Sequence, residues 1–107
     1  MTTGLGFQPP RGLPLHLSAQ QDFIHEEEHP TTQWPAGTSA RIVFANGGPV
    51  WSATVAGRFI TWRVESTGTT AVLVPDGTEY RAYLTLPREG GLTDDWLWFL
   101  GQVRRTD

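Results

Sequence analysis

The chain has 107 residues, 8 Arg and no Lys against 11 Asp and Glu, a formal net charge of −3, and no Cys. That length suits one domain and excludes a two-lobed enzyme with a cleft between its lobes. The slight anionic excess opposes binding to a phosphate backbone, and the missing cysteine removes disulfides, thiolate nucleophiles and cysteine-bound zinc together. At 38% hydrophobic and 18% charged, with 5 Trp, 5 Phe and 2 Tyr, the chain is apolar enough to fold. Its lysine-free, Gly- and Ala-rich composition reads as the codon bias of a GC-rich genome.

The first segment, Met1 to Gly12, carries Gly4, Gly6 and Gly12 with Pro9 and Pro10, and is expected to be an extended N-terminal arm whose apolar anchors are Leu5 and Phe7. It has neither the basic start nor the apolar stretch of a secretion signal. Residues 13–107 are expected to form the folded domain. Leu13, Leu15 and Leu17 alternate with Pro14, His16 and Ser18, which predicts a short strand with a proline suited to a sheet edge. Strands are further predicted over 38–45, ending at the turn Asn46-Gly47-Gly48-Pro49, over 50–55, and over 58–65. In the last of these Ile60, Trp62 and Val64 share the buried face, and Thr61, Arg63 and Glu65 the wet one. A short apolar run, 71–74, precedes the turn Pro75-Asp76-Gly77; residues 80–86 alternate again. The final strand covers 95–105, with Trp96, Trp98 and Leu100 on one face, Leu97 and Phe99 on the other, and a bulge expected at Gly101.

About seven strands with turns every 8–12 residues predict an all-β, immunoglobulin-like antiparallel β-sandwich, with a small barrel as the alternative. The longest apolar run, Trp96 to Leu100, is far short of the ~20 residues that cross a bilayer, so no membrane partner is expected. Trp51, Trp62 and Trp96 fall in register with other apolar residues and are assigned to the core. Trp34 and Trp98 are left as surface candidates.

One motif has the form of an enzyme site. His25-Glu26-Glu27-Glu28-His29 matches H-E-x-x-H, in which two imidazoles one helical turn apart hold zinc and the glutamate polarises its water. Ser18 to Gln21 could cap such a helix. Yet little beyond Ala19, Phe23 and Ile24 would dock it, Pro30 ends it at once, and the only other histidine, His16, lies on the first predicted strand. Residues 22–32 are therefore read as a solvated connection, with no metal and no catalytic residue assigned. No G-x-S-x-G elbow or phosphate-binding glycine loop occurs, and Asp94-Asp95 reads as a turn. No cofactor is expected.

The ordered features carry a resemblance. The Leu-x-Leu strand leads to Gln21-Asp22-Phe23; Trp34-Pro35-Ala36-Gly37-Thr38 then opens Ile42-Val43-Phe44, and the chain closes on Trp96-Leu97-Trp98-Phe99-Leu100-Gly101-Gln102-Val103-Arg104-Arg105. Over residues 13–105 this resembles the small LtfC-like β-sandwich proteins encoded among the tail and virion genes of phages infecting actinobacteria. The pattern is also similar to the immunoglobulin-like N-terminal domains of phage baseplate proteins. The resemblance implies a non-enzymatic structural subunit of a bacteriophage virion, a minor tail or tail-tip protein, found in the particle and, during assembly, in the host cytoplasm. Its implied partners are other virion proteins and further copies of itself, docked through sheet edges and the arm, with Leu5, Phe7 and Trp34 as candidate interface residues. The alternatives are a capsid decoration protein and a host-glycan-binding module, the latter requiring two exposed indoles on one flat face.

Overall fold

The computed structural model describes residues 11–107 and is all-β. Its strands are β1 (Arg11–Gly12), β2 (Leu15–Leu17), β3 (Phe23–Glu28), β4 (Ser39–Phe44), β5 (Val50–Ser52), β6 (Thr54–Ala56), β7 (Phe59–Val64), β8 (Glu79–Pro87) and β9 (Thr93–Arg105). Six of them form one sheet, ordered β1-β9-β8-β4-β5 with β2 also on β9, and three form a second, ordered β3-β7-β6. Alternation decides the inner faces. Ile60 and Trp62 from the small sheet meet Ile42, Phe44, Ala82 and Phe99 from the large one, all at most 4% exposed. The Trp62 indole N–H donates to the Trp51 carbonyl (3.0 Å), a buried hydrogen bond between the layers.

Most predicted strands are present, and the exceptions have physical causes. The expected 50–55 strand is two: β5 pairs with β4 in the large sheet, β6 with β7 in the small one, and the chain changes layer at Ala53, whose N–H donates to Ala40 (2.9 Å). The run 71–74 is a turn rather than a strand, with Val74 fully buried and Val72 90% exposed. The expectation of a purely antiparallel sandwich is corrected as well. β1 and β2 run parallel to β9. Arg11 faces Phe99 and Leu15 faces Val103, so one register runs through both strands, and the break between them falls at Leu13 and Pro14. Proline cannot donate to a ladder and is tolerated here because this is the sheet's edge.

In β9 the bulge lies at Trp98 and not at Gly101. Ala82 pairs with Phe99 and Tyr83 with Leu97, which leaves Trp98 as the extra residue. The bulge reverses the alternation, so Trp96 and Phe99 both face inward, opposite Leu84 and Ala82, while Leu97 and Leu100 face out. Of the expected arm, Arg11 and Gly12 are paired to β9; Leu5 and Phe7 lie outside the described residues.

Candidate functional site

On one side of the sandwich the sheets are joined by the chain itself, crossing at Ala53. On the other side they end in two edge strands, β2 and β3, and between these opens a cleft of about 340 Å³. Its walls are built by alternation. In β2, Leu15 and Leu17 are buried and His16 is exposed; in β3, Phe23, His25 and Glu27 turn inward and Ile24, Glu26 and Glu28 outward. Trp62 and Phe99, from the core, line its floor.

His25 stands among aromatic rings, its centroid 6.4 Å from Phe23, 6.2 Å from Trp62 and 6.3 Å from Phe99. Its Nε2 lies 2.9 Å from the Glu27 carboxylate. Arg11 reaches across from β1 to the same carboxylate (3.4 Å) and lies over the Phe99 ring, 4.5 Å from its centroid. An edge of each sheet is thus tied to the other by Arg11 and Glu27. Beneath the break in the edge strand, the Tyr80 hydroxyl donates to the Leu13 carbonyl (2.6 Å), and burial raises its pKa above the usual 10.0.

The expectation of a solvated connection over 22–32 is overturned by β3, which pairs with β7 from Phe23 opposite Val64 to Glu28 opposite Phe59. The zinc-helix geometry falls with it. On extended chain His25 and His29 are separated by about 13 Å, four strand rises. His29 instead accepts backbone hydrogen bonds from Thr31 (3.3 Å) and Thr32 (3.2 Å) through Nδ1. Among the described residues no group of three His, Asp or Glu is placed to hold a metal ion. Ser18 to Gln21, the would-be cap, is a turn with Gln20 at φ 63°. Asp94 and Asp95 belong to β9, engaged by Arg88 and by Thr85.

Trp34, the one candidate interface residue within the described chain, is half-buried. It meets His29 edge to face at 4.7 Å and Trp98 at 5.8 Å. Trp51 and Trp62 are buried and the other three indoles half-buried. With Trp34 and Trp98 inclined at 71°, these two surface candidates do not make a flat stacking face. Sequence pattern does not bring Arg11, His25 and Glu27 together, the group that ties the two sheet edges. The available signal was charge: Glu28 and Asp22 on the β3 segment face Arg58 (3.2 Å) and Arg63 (3.7 Å) of the β7 segment, a complementarity readable once the two are aligned antiparallel.

No curated protein matches the chain. A family model described as an LtfC-like β-sandwich domain matches residues 9–106. Its description agrees with the two facing sheets, and its span takes in every described strand. The chain therefore belongs to the LtfC-like β-sandwich domain family.

Proposed function

We propose that the chain is a non-enzymatic structural subunit of a bacteriophage virion, a minor tail or tail-tip component that docks to larger tail proteins and to further copies of itself. It would occupy the host cytoplasm during assembly and the particle afterwards. The observation that carries this reading is the family match over residues 9–106. The architecture supports it: β5, β6 and β3 are edge strands, and an edge presents backbone groups that can extend a neighbour's sheet. At the end of the cleft His25, which lines it, and Arg11 both engage Glu27, as in a structural joint.

Deleting residues 1–10, which spares β1, tests the reading. The truncated chain should keep its native circular dichroism and thermal transition, yet be missing from purified particles by mass spectrometry. Particles that incorporate it at the full-length level would defeat the proposal.

A further inference from the structure

We propose that the cleft between β2 and β3 receives the N-terminal segment of a second copy of this chain, with Leu5 and Phe7 seated against its apolar walls. This rests on the assembly reading above and names the contact that would carry it.

The cleft reaches the core. Leu13, Leu15 and Leu17 form one wall, Phe23 the other, and Trp62 and Phe99 the floor. Because the two sheets part at this edge, an extended chain that carries side chains on one face only can lie along the mouth of the cleft, between β2 and β3, and direct them inward. Gly4-Leu5-Gly6-Phe7 has that form. In an extended conformation Leu5 and Phe7 point to the same side, about 6.6 Å apart, and the bare glycines on the other side let a strand backbone approach closely. A volume of about 340 Å³ falls in the range that seats bulky apolar groups.

Chain direction selects a second copy over the same one. The segment joins the fold at Arg11, where Arg11 and Glu27 tie the two edges, while the cleft is lined by residues 13–18 and 21–25, beyond that point. Entering its own cleft would require Phe7 to double back between residues 7 and 11. Pro9 and Pro10 oppose this: a proline at the third position of a turn is incompatible with type II and disfavoured in type I. A reversal nearer the start, at Gly4 or Gly6, leaves Phe7 outside. Ten residues extended span about 33 Å, sufficient to reach a neighbouring subunit.

The chain has no cysteine, so paired substitutions report the contact without background. Chains carrying F7C are mixed with chains carrying H25C, on the inward face of β3 within the cleft, or V72C, on the exposed turn away from it, and oxidised, each variant first shown to keep the wild-type circular dichroism. Disulfide heterodimers with H25C should exceed those with V72C by at least roughly tenfold, as expected for sites held together by binding. Adding L5A to the F7C chain should remove the excess. Equal yields with H25C and V72C, or a double F7C/H25C chain that closes only within itself, would overturn the inference. The two proposals fail separately. Equal cross-linking, with the 1–10 deletion still excluded from particles, removes the cleft contact and leaves the assembly role. Selective cross-linking, with the deletion fully incorporated, does the reverse.

Discussion

Gly101 holds an edge strand in place by lacking a side chain. A Cβ built there would stand 2.1 Å from the Leu13 carbonyl oxygen and 3.2 Å from the Tyr80 ring. Tyr80 pairs with Gly101 across the ladder and donates its hydroxyl to that same carbonyl. The strand is interrupted at Pro14, and the Leu13 carbonyl is accommodated in the space a side chain would take. We expect Gly101→Ala to destabilise the fold by about 3 kcal/mol, the upper range for overpacking, measured by urea denaturation. Tyr80→Phe keeps the ring and removes the donor, leaving the Leu13 carbonyl short of a partner, for a loss of about 1–2 kcal/mol. Its pH dependence has a definite sign. Because the folded pKa is raised by burial, the unfolded chain ionises first; the tyrosine's contribution is intact below pH 10.0 and is lost as pH rises through the folded value. The wild type should lose stability more steeply than Tyr80→Phe above pH 10.0 in thermal melts, and parallel slopes would contradict this.

At the scale of elements, legibility followed the apolar content of each strand's inner face. β4, β7 and β8 bury Ala40, Ile42 and Phe44, then Ile60 and Trp62, then Tyr80, Ala82 and Leu84, and period-two alternation locates them directly. β3 escapes the same test because His25 and Glu27 occupy inward positions, made tolerable by each other and by Arg11, so that only Phe23 reads as core. The parallel pairing of β1 and β2 with β9 was hidden for another reason: it joins the two ends of the described chain, and no turn between them fixes a register. The bulge at Trp98 was obscured by a run apolar at every position. β3 is consequently the least secured of the longer strands, an edge with one ladder neighbour and few apolar contacts. Its amides, 23–28, should exchange with solvent at least roughly tenfold faster than those of β8, which lies between β4 and β9. Equal protection in native-state hydrogen exchange would show that β3 opens only with the whole fold.

For the molecule as a whole, the connection that most needs securing is the long one from β7 to β8, and Arg105 at the end of β9 secures it. Its side chain is 4% exposed, and its guanidinium donates to the carbonyls of Thr69 (2.8 Å) and Val74 (3.0 Å), while Nε reaches Asp107 (2.8 Å). Thr69 in turn donates to the Gln21 carbonyl (3.0 Å), and Asp76 accepts from the Arg105 amide (2.8 Å). One cation thereby links the last strand, the β7–β8 connection and the turn into β3. Removing it leaves two carbonyls without their charged donor, so Arg105→Ala should cost about 3 kcal/mol and lower the melting temperature by roughly 15 °C. Lysine cannot fork to both carbonyls and Asp107 at once, so Arg105→Lys should recover only part of the loss. Asp107 separates the ion pair from the carbonyl network. The Arg105 hydrogen bond is the main cause holding the Asp107 carboxyl below its usual 3.8, so the stabilisation it gives is present above that pH and is lost as pH falls through the folded value. Asp107 is exposed, so Asp107→Asn should change neutral-pH stability little and flatten the acid limb of the melting curve below pH 3.8. If Asp107→Asn matched Arg105→Ala at neutral pH, the ion pair rather than the buried carbonyls would be the joint that holds this end of the sandwich together.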